Sequence, residues 1–371
     1  MVVRIAIIGG GLAGLSAALG ALEAAEPGSV EIDLYERKRS IGSLYKSSGA
    51  VASYWLNRLP FSIPHRVVES PILSAHVHAG ESSVEIRADG PIGAVLSQPS
   101  LEVELYRMAL ERAEDKSCRL SVHLGEFVRS PFDMLRTHDY LIGADGAFSL
   151  VAEQIAGPIP REEVHKCAEY LIDRPGDGEL HIFFADYCPR GYIWVIPSKG
   201  CIKVGAGIPL SDRGDPRDIV LKFLEEHPEY AGRIIGRAYG LVPTPTPLDG
   251  VARGRVALVG DAGRLVNAAT GGGIQFAVLS GYEAGRSAGS GAGFSAYEKW
   301  YKSILPMLRR WRKVKSVLWR LSVDDLAKVA EVVGKRLYYS GEVNPGEELE
   351  AVVKLVINHP LLAAKVGAAL L

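Results

Sequence analysis

Three groups of residues in this chain have the types and spacing to do chemistry. The first is Gly9-x-Gly11-x-x-Gly14, followed by Glu36. Gly9 permits a tight turn, Gly11 lets backbone amides approach a pyrophosphate with no Cβ in the way, and Gly14 allows a helix to pack closely on a strand. Glu36 is placed to accept two hydrogen bonds from an adenosine ribose, and its charge disfavours a 2′-phosphate, which argues against NADP. A Gly-rich turn alone is weak; with its strand, helix, second strand and acid it implies a bound dinucleotide.

The second group is Gly260-Asp261 with Gly271-Gly272-Gly273-Ile274. NAD has no use for this pair, whereas FAD does. Asp261 can accept hydrogen bonds from the ribityl chain, and a helix opening near Ile274 can stabilise the negative charge of a reduced flavin. Two distant Gly-rich turns therefore point to FAD. There is no second GxGxxG, so no dedicated NAD(P)H domain is expected. Between the two turns, a buried strand runs into Gly143-Ala144-Asp145-Gly146, which puts a further carboxylate, Asp145, at the carboxyl edge of a sheet, where doubly wound folds bind ligands.

The third group is Pro189-x-x-Tyr192-x-Trp194-x-Ile196-Pro197. With the period of a strand, Tyr192, Trp194 and Ile196 share one face, an apolar wall whose polar groups are a phenol and an indole N–H. Such a wall either lines a substrate cavity or fills a core. His76 and His78 also share a strand face, a metal-like spacing, but with no third ligand nearby in sequence they read as sheet packing, and no metal is expected.

These residues need scaffolding. Ile5–Ile8 reads as a buried parallel strand, Leu12–Ala25 as its helix and Val30–Tyr35 as the next strand. The small-residue loop at Ser47, Ser48 and Gly49 either lies along the cofactor or is a solvated turn. Ile72–His78 and Val84–Ala88 read as strands joined near Gly80; Leu101–Glu114 is an amphipathic helix, and Leu120–Leu124 a short strand. Leu180–Phe184, Tyr192–Ile196 and Ile202–Ala206 make an antiparallel layer. The expected class is α/β: a discontinuous FAD-binding Rossmann-type domain (1–60, 94–160, 245–295), an inserted antiparallel-sheet substrate domain (61–93, 161–244) and a C-terminal helical region (296–371).

The 371 residues, 47% hydrophobic and 23% charged with net charge −1, suit a globular protein with real cores and give no electrostatic reason to bind nucleic acid. The four cysteines form no CxxC pair, so neither a zinc site nor a disulfide framework is indicated, and a reducing cytoplasm fits. The start of the chain leaves no room for a signal peptide, and no apolar run reaches the roughly 18 to 20 residues needed to span a bilayer. The run Val352–Leu371 reads as short packing helices. Lys299–Arg320 holds eight basic residues, no acidic one, and Trp300, Trp311 and Trp319. That composition suits either a peripheral contact with the inner face of a membrane or a packed helix with a solvated basic face. Pro306 is expected to break or kink this stretch, favouring two short segments over one continuous element.

On the four pieces Gly9-x-Gly11-x-x-Gly14 with Glu36, Gly143-Ala144-Asp145-Gly146, Pro189-x-x-Tyr192-x-Trp194-x-Ile196-Pro197, and Gly260-Asp261 with Gly271-Gly272-Gly273-Ile274, the chain resembles the geranylgeranyl reductase family. These are flavoproteins with the p-hydroxybenzoate hydroxylase type of fold, and the resemblance covers about residues 1–290. It departs from the family pattern at Ile196, where the family has Phe; at Ser47 and Ser48, where a cysteine is common; at Gln98, where Arg is common; and at Ala268, where Pro is common. Without that Arg, backbone amides must do more of the phosphate binding.

The resemblance implies FAD, with Ala13, Arg37, Ser47, Ser48, Gly49, Gln98 and Val128 joining the glycines, Glu36, Asp145 and Asp261 as cofactor contacts. It also implies a reductase of isolated C=C bonds in polyprenyl lipids, fed by a ferredoxin or a reduced nicotinamide. Tyr192 would shape or protonate the reacting site, and Trp194, Pro189, Ile196 and Pro197 would line the chain tunnel. Two rivals remain open: a flavin monooxygenase or halogenase, whose Trp-x-Trp-x-Ile-Pro box is similar though no active-site lysine can be identified, and a non-catalytic FAD-dependent lipid-binding protein.

Overall fold

The computed structural model describes residues 2–45 and 47–340; the expected helices in Val352–Leu371 lie outside the described residues. The apolar run predicted as the first strand forms Val3–Ile8, with Ile5 to Ile8 all buried. It sits inside a six-stranded sheet of spatial order Ala252–Arg253, Val256–Leu258, Tyr140–Gly143, Val3–Ile8, Val30–Glu36, Arg119–Leu124. All pairings are parallel except the terminal hairpin, as expected for strands buried on both faces.

Helix Leu12–Ala24 follows the first strand, and helix Ile274–Gly289 lies directly on it. Gly281, Gly285 and Gly289 recur every four residues and so form one stripe. A Cβ on each would strike the carbonyls of Ala13, Ala17 and Ala21 at 2.1, 2.0 and 2.2 Å. The two backbones are therefore in contact. This stripe locks together the helices that begin at the two Gly-rich turns, so the spacing of those turns is fixed by backbone rather than by side chains.

The second sheet has eight strands, in the order Ile234–Pro243, Val164–Ile172, Cys201–Pro209, Tyr192–Ser198, Glu179–Phe184, Ser74–Ala79, Ser82–Ala88, Arg336–Tyr339. It contains the antiparallel layer expected from sequence, with the hairpin turning at Gly80 (φ 55°). Val68–Ile72 does not continue into Ser74–Ala79. It pairs instead with Gly93–Leu96, beside Ala50–Ala52, in a small third sheet.

Two expectations for the C-terminal part are corrected. The region after residue 295 is not purely helical, because Arg336–Tyr339 adds a parallel strand beside Ser82–Ala88. Pro306 does not divide its helix: Ser295–Leu318 is continuous. A proline removes one intrahelical hydrogen bond, and packing holds this helix across the gap, with Tyr297, Tyr301, Leu305, Leu308 and Trp311 all buried in the main core. Trp311 packs on Trp55 and Phe276, and Trp300 stacks on Tyr297, so neither belongs to an exposed aromatic surface. Among the described residues, no helix is long and apolar enough to cross a membrane.

Candidate functional site

One continuous cavity of about 900 Å³ runs from the Gly-rich turns of the six-stranded sheet to the aromatic face of the eight-stranded sheet. At the first end it is lined by Gly9, Gly11, Ala13, Glu36, Arg37, Gln98, Val128 and Asp145. Asp261, Gly272, Gly273 and Ile274 line it from the second turn, and Ser47, Ser48 and Gly49 from the loop between the sheets. Pro189, Tyr192, Trp194 and Ile196 line the far side. Residues from three separated motifs thus meet at one space.

Three of the expected residues do not line it. A Cβ on Gly14 would lie 1.8 Å from the Gly9 carbonyl, so its role is the close helix–strand approach. Gly260 lies beneath the cavity, donating its N–H to Ser280 Oγ at 2.8 Å. Pro197 is turned toward Gly176 and is no part of the wall. Its strand alternates, and Pro197 falls on the face opposite Trp194 and Ile196.

The first end has the features a dinucleotide needs. Gly9 sits at φ 112°, with a Cβ position 2.2 Å from the Ala144 carbonyl, so only glycine fits there. At Gly11 the situation is reversed: a Cβ would find one atom within 4 Å, Glu102 Oε1 at 3.8 Å, and the backbone is open to the cavity. Glu36 is buried, with Oε2 accepting from Gly10 N and Oε1 from Lys38 N, both at 2.7 Å. Each oxygen keeps a second lone pair for a ribose hydroxyl. Gln98 Nε2 donates to Glu102 Oε1 at 3.0 Å, while Gln98 Oε1 is buried with no hydrogen-bond partner. A buried acceptor beside a cavity that has no donor of its own is a place for a ligand donor. The residues present fit FAD.

Asp145 is engaged differently from expectation. Its carboxylate accepts from Ser149 Oγ at 2.5 Å and Leu150 N at 2.7 Å, fastening the start of helix Leu150–Ala156. Burial raises its pKa, opposed by those hydrogen bonds. Its side chain thus positions the turn that faces the cavity.

The far wall holds a polar network that sequence reasoning missed. Glu169, buried in strand Val164–Ile172, accepts from Trp194 Nε1 at 2.7 Å, from Tyr45 Oη at 2.8 Å and from Ser48 Oγ. Behind it, buried Lys203 donates to the Ser48 carbonyl at 3.0 Å and to Glu69 at 2.5 Å, with its ammonium 4.9 Å from the Tyr45 ring centre. The indole N–H of the wall is therefore committed to a carboxylate. Tyr192 Oη donates to the Thr270 carbonyl, tying the aromatic strand to the glycine turn that precedes Ile274. Burial pushes the Tyr192 phenol above its ordinary range, which makes it a poor acid. Burial likewise lifts the Cys167 thiol to about 12, so it stays protonated at neutral pH.

A second polar group lines the cavity near the C-terminal helix. Lys315 was one of eight basic residues in sequence, but it is buried and donates to Thr244 O at 2.7 Å and Oγ1 at 2.6 Å. Thr244 Oγ1 also lies 2.9 Å from His165 Nδ1. Burial pushes Lys315 down to about 7 and His165 down to about 4. Trp319 stacks over this lysine at 4.0 Å and lines the same cavity.

No family model matches the chain. Among curated proteins it is similar to a digeranylgeranylglycerophospholipid reductase from Methanothrix thermoacetophila, 29% identical over 353 residues that span 85% of this chain and 88% of that protein. The same named enzyme from Picrophilus torridus is 27% identical over 93% of this chain and 94% of that protein. Among solved structures, a geranylgeranyl bacteriochlorophyll reductase-like protein from Thermoplasma acidophilum superposes with a TM-score of 0.80 at 20% identity, over the full length of both chains. The chain is thus similar in sequence to digeranylgeranylglycerophospholipid reductases and shares the fold of the geranylgeranyl bacteriochlorophyll reductase-like structure.

Proposed function

We propose that this chain is an FAD-dependent reductase that saturates isolated C=C bonds in the geranylgeranyl chains of archaeal-type membrane lipids. The observation that carries this reading is the single cavity joining a dinucleotide-shaped end to an apolar wall of Leu180, Ile182, Phe184, Tyr192, Trp194 and Ile196, with one carboxylate network set into it. Its curated relatives are named for reduction of such a lipid.

Gly9 and Gly11 would hold the pyrophosphate with backbone amides, Glu36 the adenosine ribose, and Asp261, Gly272 and Gly273 the flavin end. Bound and reduced, FAD supplies a hydride. An isolated alkene has no carbonyl to polarise it, so the chain must deliver a proton to the neighbouring carbon inside a dry pocket. The Ser48 and Tyr45 hydroxyls, which donate to the Glu169 carboxylate, form the relay assigned to passing a solvent proton to that carbon, with Glu169 holding both hydroxyls in place. Trp194 holds the carboxylate and shapes the tunnel, while Tyr192 fixes the wall to the flavin-side turn. Electrons are assigned to a ferredoxin or a reduced nicotinamide.

The lipid is collected at the membrane face. Phe127, Phe148, Tyr239 and Leu241 line the cavity and are exposed, and Lys299, Lys302, Arg309, Arg310 and Lys313 form an exposed basic row on the C-terminal helix. Binding to anionic vesicles that falls with salt supports this contact; no binding at low salt removes it.

The test of activity is mass spectrometry of a geranylgeranyl lipid after anaerobic incubation with the FAD-loaded, chemically reduced protein. Each saturated bond adds two hydrogens, and in heavy water both are expected as deuterium, because the flavin N–H that supplies the hydride exchanges with solvent as the delivered proton does. Unaltered lipid contradicts the reading. Turnover of halide or an aromatic acid in air would instead mark a halogenase or monooxygenase, and lipid that binds unchanged would mark a binding protein.

A further inference from the structure

Strand Glu179–Phe184 has two faces of opposite character. Leu180, Ile182 and Phe184 line the cavity, so by strand alternation Glu179, His181 and Phe183 face away from it. On that outer face, the parallel pairing with Ser74–Ala79 sets His181 opposite His76 and Phe183 opposite His78. The third imidazole absent from the neighbourhood of His76 and His78 in sequence is therefore supplied by a strand 103 residues beyond His78. The ring centroids of His76 and His78 lie 4.9 and 5.4 Å from that of His181.

Carboxylates complete the cluster. Glu179 Oε2 lies 3.3 Å from His76 Nε2 and 3.8 Å from His181 Nε2. Ligand-capable atoms of Asp177, Glu179 and His181 all fall within 4.8 Å of one another. A tetrahedral zinc ion with bonds of about 2.0 to 2.1 Å sets its ligand atoms about 3.3 to 3.4 Å apart. His76 and Glu179 already stand at that separation, and His181 is slightly wider.

We propose that His76, His181, Glu179 and Asp177 bind a divalent first-row transition cation, Zn²⁺ foremost, on the back of the cavity wall. His181 and the two carboxylates make one ligand-spaced group, and His76, 3.3 Å from Glu179, adds a second imidazole at its edge; such a nitrogen and oxygen set is of the kind zinc takes and too poor in oxygen for calcium or magnesium. The surroundings orient the ligands. His78 Nε2 lies 3.2 Å from His181 Nδ1, so a proton on that Nδ1 donated to His78 leaves the His181 Nε2 lone pair facing Glu179. Arg87 Nη2 sits 3.7 Å from the other Glu179 oxygen, Oε1, leaving Oε2 to the ion. Glu179 and His76 are partly exposed, which gives the ion a route in. The ion would pin the parallel register of two strands distant in sequence, and through Leu180 and Ile182 it would stiffen the cavity wall.

The experiment is titration of EDTA-treated, dialysed protein with ZnCl2, followed by calorimetry and by thermal melting. One equivalent is expected to bind per chain and to raise the Tm, with no response to MgCl2. His181→Ala and the shape-preserving Glu179→Gln should each abolish the stoichiometric uptake while retaining FAD, which verifies that they are folded. His78→Ala should weaken uptake about 10- to 100-fold through the lost orientation of His181. Wild-type protein that takes up no stoichiometric zinc, or uptake that persists in both His181→Ala and Glu179→Gln, would overturn the assignment.

Discussion

Trp194 Nε1 reaches Glu169 Oε2 at 2.7 Å across an intervening strand, and Gly205 provides the passage. In strand Cys201–Pro209, Gly205 is the register partner of both Trp194 and Glu169. A Cβ there would lie 2.3 Å from Trp194 Cε2, in the space the indole occupies. Gly205→Ala is therefore expected to expel the indole from its bond with Glu169, costing about 1 to 3 kcal/mol as an overpacked site. Shifted tryptophan fluorescence together with a lowered Tm checks this; an unchanged Tm would mean that the indole is not held there.

Trp194 serves both packing and the wall, since it is 9% exposed and clusters with Ile72, Val95 and Ile196. Trp194→Ala should cost about 3 to 5 kcal/mol of stability, so activity loss in that variant alone says little. Trp194→Phe keeps most of the packing and removes the donor to Glu169, worth about 1.5 to 3 kcal/mol for a hydrogen bond to a charged group. Its turnover per folded molecule should fall, and an undiminished rate would remove the indole N–H from the mechanism.

Glu36→Ala should weaken FAD binding and also lower the stability of the apoprotein. The carboxylate caps the backbone N–H groups of Gly10 and Lys38, and leaving buried donors unpaired costs about 1 to 3 kcal/mol. Flavin fluorescence titration and apoprotein melting measure the two effects separately. A loss of FAD affinity with no change in apoprotein Tm would show that the caps contribute nothing.

Buried bases set the pH dependence. His78 and His165 are both pushed down to about 4 from 6.5, and Lys315 to about 7 from 10.5, mainly by burial. Where the unfolded chain binds more protons than the folded one, stability rises with pH. For the histidines that window is pH 4 to 6.5; for Lys315 it is pH 7 to 10.5. The Tm of wild type relative to Lys315→Met should therefore climb between pH 7 and 10, and a flat difference would contradict the burial of a neutralisable lysine.

The Gly-rich turns were legible in sequence because each is local: strand, turn, helix and acid follow within a few dozen residues. The aromatic strand was legible as a wall by its period of two. Glu169 was not, because Tyr45 and Ser48 reach it from 124 and 121 residues away and its own strand carries no motif. The signal that could have pointed to it is Gly205 inside strand Cys201–Pro209, where a glycine marks a close approach. The basic run around Lys315 and Trp311 leaves membrane contact and packing both open in sequence; the helix turns the two residues inward, which only tertiary packing decides. The histidine trio was half visible, since its third member arrives through a parallel pairing that local spacing does not encode.

The central claim is that FAD bound and reduced in this cavity would supply a hydride to an isolated alkene while the hydroxyls held by Glu169 relay a solvent proton. The most direct measurement is anaerobic mixing of photoreduced, FAD-loaded protein with a geranylgeranyl phospholipid, following the return of the oxidised-flavin absorbance. Reoxidation by the lipid, slowed in Glu169→Gln with FAD affinity unchanged, is the predicted result. Flavin that stays reduced with the lipid present, and reoxidises only when air is admitted, would contradict it.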